Sequence, residues 1–420
     1  MNANVIRRSL VAAAVGIAMG GVGSAHATNG YFAHGYGTTA KGMGGTGMAI
    51  SQDAYAPGTN PAGIAGMESR FDIGVSYFRP KRSVTLDSPQ GSMEVESGNS
   101  SFNIPSMGYV RQIDERRSWG IALLGNGGMN TEYPAFATGN PECDMGGGGL
   151  FCGGAAGVNL EQLAIIPTYA QKSESGRVSV GFSPIISHQR FSATGLGQFA
   201  QMSNDPERVS DNGTDSTWGY GAQVGFQAEL SDTVTLGGSY RSKIRNGKFS
   251  DYSGLFAGGG SFDIPSTLGL GVSVEATPNL TIAADYLRIN YSDIDAISNT
   301  MHTHEPLGAS GGPGFGWRDI GVFRLGAQYE AGNNWTWRVG YNRGQNPISS
   351  DEVMFNIVAP AVTTDHYTFG FTKAFNSNHE LNFAAMYAPR NSVSGPIGNG
   401  MDATIEMRQY ELEIGYAYRF

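Results

Sequence analysis

The sequence has little charge and no long apolar run. Charged residues make up 15% of the 420 positions, against about 25% in typical soluble domains. The 27 Lys and Arg and 36 Asp and Glu leave a net charge of −9, and an acidic chain without a basic run is a poor nucleic-acid binder. Beyond the N-terminal leader, no stretch approaches the roughly 18 consecutive apolar residues of a membrane-spanning helix. Together with a hydrophobic content of 40%, this excludes a helical membrane bundle.

Glycine and aromatic residues are abundant instead. The chain contains 62 glycines, which is roughly twice the usual share of about 7%. Aromatic residues reach 11%, which is too many for a disordered chain. A glycine-rich, aromatic-rich and polar composition favours an all-β protein, and it fits a transmembrane antiparallel β-barrel in the outer membrane of a bacterium.

The first 27 residues have the pattern of a signal peptide. Arg7 and Arg8 form a basic start, 10–22 is short and apolar, and Ala25-His26-Ala27 supplies small residues around a cleavage site. The pattern predicts an exported chain that begins at Thr28. A transmembrane helix is the weaker alternative, because the apolar stretch is short and interrupted by glycine.

Only two cysteines are present. Cys143 and Cys152 flank a short glycine-rich stretch. Outside the cytosol, two cysteines that close a short loop predict a disulfide. A metal-binding pair is the alternative, but no histidine or further cysteine lies nearby in the sequence. We predict no metal and no cofactor.

From Arg70 onward, apolar and polar residues alternate. The clearest case is the end of the chain, where one face of a strand would carry Tyr410, Leu412, Ile414, Tyr416, Tyr418 and Phe420. A period of two places one set of side chains against lipid and the other in a barrel lumen. A soluble sandwich also alternates, so the periodicity alone does not name the solvent. The same pattern recurs at 71–77, 119–123, 218–226, 234–240, 268–274, 280–286, 335–341, 367–371 and 381–387.

The connections between these runs alternate in length. Short polar connections are predicted near 111–118, 172–177, 229–233, 275–279, 330–334 and 375–380. Long ones are predicted near 80–98, 130–160, 192–217, 243–262, 290–316, 343–364 and 388–404. Thirteen connections give fourteen strands. Short inner turns and long outer loops are typical of outer-membrane barrels.

Residues 28–68 do not fit the barrel pattern. The segment is glycine-rich and too small to fold alone, so it either hangs free or fills the barrel as a plug. Residues 42–47 match G-x-G-x-x-G, but no strand precedes them and no βαβ pattern surrounds them, so the dinucleotide-binding interpretation is weak. The predicted organisation is a signal peptide at 1–27, an N-terminal hatch at 28–68 and a barrel at 69–420.

Specific motifs give this segment a resemblance to a known family. They are Gly30 to Gly35, Lys41-Gly42-Met43-Gly44-Gly45, Asp53-Ala54 and Asn60-Pro61-Ala62. With them, residues 28–67 resemble the N-terminal hatch of the FadL family of outer-membrane channels for hydrophobic compounds. Residues 104–109 and 119–133 are similar to the second and third strands of that family. The resemblance covers essentially the whole chain after the signal peptide.

The resemblance implies a passive transport mechanism. A hydrophobic compound is caught among the outer loops, moves to a pocket above the hatch, and leaves sideways into the membrane through a kink in the third strand. Long-chain fatty acids are the first substrate hypothesis, and aromatic hydrocarbons of the toluene type are the alternative. The other expected partners are outer-membrane lipid and lipopolysaccharide, and the expected state is a monomer.

Two motifs have predicted structural roles in this mechanism. Asn126, Gly127 and Gly128 are assigned to the kink and the lateral opening, because consecutive glycines inside a strand mark a bend or bulge. The alternative is a barrel corner without a role in transport. Asn60, Pro61 and Ala62 carry no catalytic chemistry and are assigned to a turn of the hatch.

Candidate ligand contacts follow from residue type and position. The apolar candidates are Tyr31 and Phe32 in the hatch, Leu124 and Met129 near the kink, and Phe136 in an outer loop. A fatty acid carboxylate would need a cation, and His34, Lys41 and Arg338 are the candidates. Outer-groove candidates are Leu196, Phe199, Met202, Leu255 and Phe256. For each apolar residue, a pure packing role is the alternative.

Three rival functions remain open. A general diffusion porin would share the barrel but not the hatch. A hydrolase would need a nucleophile and a base within reach, yet Ser187 and His188 are adjacent on a strand and face opposite ways. His302-x-His304-Glu305 in an outer loop is a weak metal motif. We therefore predict no enzyme and no catalytic residue. An adhesin or a structural barrel would need loops without apolar content.

Overall fold

A single closed barrel dominates the fold. The computed structural model describes residues 28–89, 91–398 and 400–420, so the predicted signal peptide lies outside the described residues. Within these ranges fourteen antiparallel strands form the barrel. They are β1 Arg70–Ser88, β2 Phe102–Gln112, β3 Arg117–Asn130, β4 Gly157–Lys172, β5 Val178–Thr194, β6 Asp215–Ser231, β7 Val234–Arg241, β8 Thr267–Thr277, β9 Leu280–Ile289, β10 Ile320–Gly332, β11 Trp335–Gly344, β12 Asp365–Ala374, β13 His379–Gly398 and β14 Met401–Arg419.

Each strand pairs with its neighbours in the sequence, and the last closes onto the first. β1 and β14 pair antiparallel from Arg70↔Arg419 to Asp87↔Asp402. Two short strands lie outside the ring: Gly91–Glu96 pairs with β1, and Arg245–Asn246 pairs with β6. The predicted fold class and strand number are therefore confirmed.

The two faces of the strands differ as the alternation predicts. On β14, Leu412 and Ile414 point outward and are 50% and 56% exposed, whereas Glu411 and Glu413 between them are each 2% exposed. Exposed apolar side chains recur on the outer surface of the other strands, for example Val75, Phe323 and Phe369. An apolar outer surface of this kind is typical of a barrel that is surrounded by lipid.

The connections at the end where β1 begins, which we call the inner end, are two to five residues long. Five long connections lie at the opposite, outer end, at 131–156, 195–214, 242–266, 290–319 and 345–364. Two predicted long loops are wrong. The 388–404 segment is the continuation of the β13–β14 hairpin, and most of 80–98 belongs to β1 and the short strand beside it.

The reason for these two errors is a change of face. From Tyr410 toward the inner end of the barrel, the apolar residues of β14 point outward. Toward the outer end, Ala403, Ile405 and Met407 are instead buried against the outer loops. The apolar set therefore switches from the even to the odd positions at about residue 408. A period-two search reads such a switch as the end of a strand.

Helices are few and short. The α-helices are α1 Thr38–Gly42, α2 Pro141–Met145, α3 Ala257–Gly260, α4 Asp295–Ser298 and α5 Val353–Asn356. The 3-10 helices are Ala56–Gly58, Pro61–Ile64, Gly197–Met202, Pro206–Arg208, Ser250–Tyr252, Tyr291–Asp293 and Ser350–Glu352. Within the described ranges, none of the helices has both the length and the apolar character needed to span a bilayer.

Residues 28–69 occupy the lumen, and we call this segment the hatch. It contacts inward-facing residues around the whole ring. Gly47 donates to Asp285 of β9 at 2.7 Å, and Thr38 donates to Glu413 of β14 at 2.7 Å. Glycines in the wall let the two backbones touch: a Cβ at Gly340 would clash with Gly44, and one at Gly237 with Met48. The structure thus gives residues 28–69 a place inside the barrel rather than outside it.

Candidate functional site

The outer half of β3 departs from a regular strand. Residues 122–124 and 126–129 are all buried, so the alternation of the strand is lost. Opposite β4 the register shifts between Gly125 and Gly127, which makes Asn126 the extra residue of a β-bulge. A bulge bends its strand and increases the local twist. The bend predicted at Asn126–Gly128 lies at this bulge.

A gap in the wall accompanies the bend. β2 and β3 pair only from Met107↔Leu123 to Gln112↔Ser118. Toward the outer end, each strand stays paired only with its other neighbour. β2 pairs with β1 as far as Phe102, and β3 pairs with β4 as far as Asn130. The two strands therefore separate beyond Leu123, and we call this place the β2–β3 gap.

The hatch closes the inner side of the gap. A cavity of about 20 Å³, which is room for about one water, lies between the two strands and the hatch. It is lined by Ala33, Gly35, Tyr36, Gly37, Lys41, Ile104, Pro105, Ser106, Leu124, Gly125 and Glu413. The lining therefore combines apolar side chains with the Lys41–Glu413 ion pair, and passage through it would require the hatch or the strands to move.

The start of the hatch pairs directly with the bent strand. Phe32 forms an isolated antiparallel bridge with Gly127, and Gly128 donates its N–H to the Tyr31 carbonyl at 3.1 Å. A Cβ at Gly127 would clash with that carbonyl. Gly127 is therefore needed for close approach of the two backbones, and the hatch start is coupled to the bend.

Asn126 connects the bulge to the opposite wall. Its side-chain amide donates to Gln162 at 3.1 Å, and its side-chain oxygen accepts from Arg241 of β7 at 3.0 Å. Its backbone carbonyl accepts from the Tyr36 hydroxyl at 3.1 Å. These bonds tie the bend to β4, to β7 and to the hatch.

Arg241 is a buried cation that the sequence analysis missed. Its guanidinium donates to neutral oxygens of Gln223, Asn126 and Gly58 at 2.8–3.0 Å. It also lies over the Tyr36 ring at 5.9 Å. The signal was present in the sequence: Tyr240 belongs to the outward set of its strand, so position 241 has to face the lumen.

An aromatic group lies next to the hatch start, on its outer side. Tyr31 stacks on Phe32 with ring centroids 5.1 Å apart, and Tyr291 meets Trp317 edge to face at 5.1 Å. Tyr31 also lies 6.3 Å from Phe262. Leu124 and Met129 belong to the same buried cluster, and Phe136 packs on it half-buried. The apolar candidates named from the sequence are thus brought together into one cluster.

Most of the outer-groove candidates are buried. Leu196, Phe199 and Phe256 are buried in the same apolar cluster, Leu255 packs against it, and Met202 is 51% exposed. Phe256 contacts Phe191 and Phe262 at 4.7 and 4.8 Å between ring centroids. These residues therefore form a closed apolar core under the loops rather than an open groove.

A disulfide ties one of these loops. Cys143 and Cys152 are bonded, with their Cα atoms 4.5 Å apart. Nearby, Asp144 accepts hydrogen bonds from the backbone and hydroxyl of Thr138, which hold the pKa of this carboxyl below its usual range. Both features fix the conformation of an exposed segment beside the apolar core.

The three cation candidates all lie in the lumen, and Lys41 lines the cavity at the β2–β3 gap. Lys41 contacts Glu411 at 2.5 Å and Glu413 at 2.6 Å, so two carboxylates already balance its charge. His34 lies 3.4 Å from Glu411. Arg338, near the inner end of β11, donates to Gln52, Gln328 and Thr372. Arg241 bonds directly to Asn126, so it joins Lys41 as a cation beside the bend.

The Asn60-Pro61-Ala62 motif starts a 3-10 helix. The Asn60 side-chain oxygen accepts from the Ala62 N–H at 3.0 Å and caps the helix. Its amide donates to the Met48 carbonyl at 2.7 Å and to the Phe226 carbonyl of β6 at 2.9 Å. The motif therefore anchors the hatch to itself and to the wall.

The histidine motifs have other surroundings. Ser187 faces the lumen and bonds to Asn246, whereas the His188 ring packs on Trp218 at 4.5 Å between ring centroids. The His302 ring contacts the Asp351 carbonyl at 2.9 Å. Potential ligand atoms of His302, Asp351 and Glu352 lie within 4.8 Å of one another, but Glu352 already accepts hydrogen bonds from Thr300 and Met301.

Comparison with known proteins gives a consistent result. A family model described as "Outer membrane protein transport protein (OMPP1/FadL/TodX)" matches residues 21–420. The long-chain fatty acid transport protein of Escherichia coli O6:H1 is 25% identical over 383 residues, which cover 84% of this chain and 85% of the relative. The protein of the same description from Shigella flexneri is 24% identical over 388 residues, covering 82% and 84%.

Solved structures share the fold. The Pseudomonas putida toluene transporter TodX superposes with a TM-score of 0.70 at 19% identity, covering 92% of this chain and 99% of that chain. A Pseudomonas aeruginosa FadL homologue gives a TM-score of 0.67 at 16% identity, covering 93% and 100%. At these identities the likeness establishes a common architecture.

Proposed function

Because the chain belongs to the outer membrane protein transport family (OMPP1/FadL/TodX), it is an outer-membrane channel for hydrophobic compounds, and we propose that it takes up long-chain fatty acids and releases them sideways through the β2–β3 gap. The single observation that carries the route is the end of β2–β3 pairing at Met107↔Leu123, beside the bulge at Asn126. The proposal for the substrate is supported by the fatty acid transport proteins at 24–25% identity.

Lateral release avoids the large cost of exposing an alkyl chain to water. Each buried CH₂ group is stabilised by about 0.8 kcal/mol relative to water, so an alkyl chain of ~16 CH₂ groups would lose about 13 kcal/mol on leaving into the periplasm. A gap that joins an apolar pocket to the bilayer removes the need for that step. Because the hatch start pairs with Gly127 and Gly128, a shift of the hatch start would open the gap from inside.

The buried aromatic group supplies the proposed pocket above the hatch. Tyr31, Phe32 and Trp317 are each less than 5% exposed, so a ligand must displace part of the cluster to enter. Aromatic hydrocarbons are the second candidate substrate, because a stacked aromatic cluster suits a flat ring. The last strand pairs with the first and closes the barrel within one chain, in keeping with a monomer.

Uptake by the parent protein tests the function. The chain is produced in an outer-membrane host that lacks its own fatty acid channel, and entry of labelled oleate, toluene and glucose is measured. We expect oleate to enter well above the empty host, with glucose at the background level. Glucose entry that rises with expression would instead indicate a general porin, and entry of toluene alone would select the aromatic substrate class.

Arg241 distinguishes an acid from a neutral ligand. For Arg241→Gln we expect oleate entry to fall about tenfold, because a hydrogen bond to a charged group contributes about 1.5–3 kcal/mol, while toluene entry stays within about twofold. Arg241→Lys is the matched control, since it alters the hydrogen bonds but keeps the charge, and it should retain most oleate entry. Equal losses for both variants, or for both substrates, would show that Arg241 only supports the bend.

A further inference from the structure

Three cations cluster on the outside of the barrel where β1 meets β14. Arg79, Lys81 and Arg408 all belong to the outward-facing set, and the pairing places Lys81 opposite Arg408 and Arg79 opposite Tyr410. A surface pocket of about 380 Å³ is lined by these residues together with Tyr77 and Leu412. We call it the seam pocket. Glu411 also borders it, but its carboxylate points into the lumen onto Lys41.

The seam pocket lies at the height of the outer-leaflet headgroups. A strand advances by about 3.4 Å per residue and barrel strands tilt by about 40°, so the nine residues from Arg70 to Arg79 rise about 23 Å. The apolar band of such barrels is about 25 Å tall and is flanked by aromatic residues. Arg79, with Tyr410 opposite it, therefore lies close to the outer edge of the band, and Lys81, with Arg408 opposite it, lies two residues farther out.

The charges of this cluster are not balanced by protein carboxylates. Elsewhere near the outer ends of the strands, outward-facing arginines each have an acidic partner: Arg190 with Glu161, Arg288 with Asp319 and Arg343 with Asp365. Within the described part of the chain, no ion pair involves Arg79, Lys81 or Arg408. The adjacent carboxylate on β14, Glu406, is engaged by Arg390.

We propose that the seam pocket binds the phosphate groups of an anionic glycolipid of the outer leaflet, of the lipopolysaccharide type. Guanidinium groups bind phosphate oxygens in a bidentate manner, and an ammonium adds a point charge. Tyr77 and Tyr410 also line the pocket, next to the apolar band, where a sugar or the start of an acyl chain would lie. The protein therefore carries its own lipid site beside the strand that closes the barrel.

The test compares two charge-matched triple variants. One is Arg79→Gln, Lys81→Gln and Arg408→Gln. The control is Arg190→Gln, Arg288→Gln and Arg343→Gln, which removes the same charge from carboxylate-paired positions. Binding of diphosphorylated lipid A from phosphatidylcholine vesicles is titrated for both variants and for the parent. Each cation near a charged membrane surface contributes about 1 kcal/mol, so the seam variant should bind about 100-fold more weakly, with the control close to the parent.

Two further measurements make the outcome decisive. Lipid A without phosphates should bind the parent as weakly as it binds the seam variant. Millimolar inorganic phosphate should leave lipid A bound, since the free ion lacks the acyl chains. Displacement by phosphate would identify a soluble-anion site, and an equal loss in the control triple would reduce the effect to net charge; either result overturns the proposal. Oleate entry, measured in parallel, should be unchanged, which separates this site from the transport route.

Discussion

Deletion of Asn126 is expected to abolish uptake of both oleate and toluene. Asn126 is the extra residue of the β3 bulge, so its removal lets β3 continue in register with β4 as a regular strand. A straight β3 would pair with β2 beyond Met107↔Leu123 and close the gap. We expect the rate of entry to fall at least about tenfold, because the alternative exit into water costs about 0.8 kcal/mol for each CH₂ group.

Two controls separate the shape of the strand from other consequences of the deletion. Leu230 lies at the bulge between Glu229 and Ser231 at the inner end of β6 and is 59% exposed. Its deletion straightens a strand far from the gap and should leave uptake near the parental rate. Asn126→Ala keeps the bulge but loses the side-chain bonds to Gln162 and Arg241, and it should reduce uptake only in part. Normal uptake after Asn126 deletion, in a folded barrel, would contradict lateral release.

The alternation of β14 shows how much of the fold the sequence carries. Positions 410–420 face lipid on one side and the lumen on the other, so each residue reports its own environment, and the strand follows directly. The two adjacent glycines after Asn126 likewise predict an irregularity in the strand, because glycine inside a strand often marks a bulge or a close approach of another backbone, and a bulge lies at Asn126. The strands of the wall and the position of this bulge are therefore local properties of the sequence.

Other features depend on distant parts of the chain. The outer part of β14 buries Ile405 and Met407 against loops that are far away in sequence, so its pattern is meaningful only after folding. The sequence close to Lys41 offers no acidic partner. In the structure Lys41 pairs with Glu411 and Glu413, which lie some 370 positions later in the chain. The pairing of hatch charges with wall charges cannot be read locally, because any inward carboxylate would suit the sequence pattern equally well.

That pairing leads to the last expected result, which concerns how the hatch is held. Lys41 of α1 is buried and bonded to both Glu411 and Glu413, which lie two positions apart on the same face of β14. Removing one partner of a buried ion pair costs about 3–5 kcal/mol, because the remaining charge is left buried and unpaired. In Lys41→Met two carboxylates would repel each other under α1, so we expect the hatch to loosen and the barrel to conduct ions.

Planar-bilayer conductance measures this directly. The parent, whose lumen is filled by residues 28–69, should conduct little, whereas Lys41→Met should show frequent open events and unfold at a lower temperature. Adding Glu411→Gln and Glu413→Gln to Lys41→Met removes the repulsion and should restore the low conductance, since neutral amides tolerate burial when hydrogen-bonded. Lys248→Met, at an exposed loop position, is the control and should behave like the parent. A closed Lys41→Met channel would mean that the glycine contacts and hydrogen bonds around the ring hold the hatch without this ion pair.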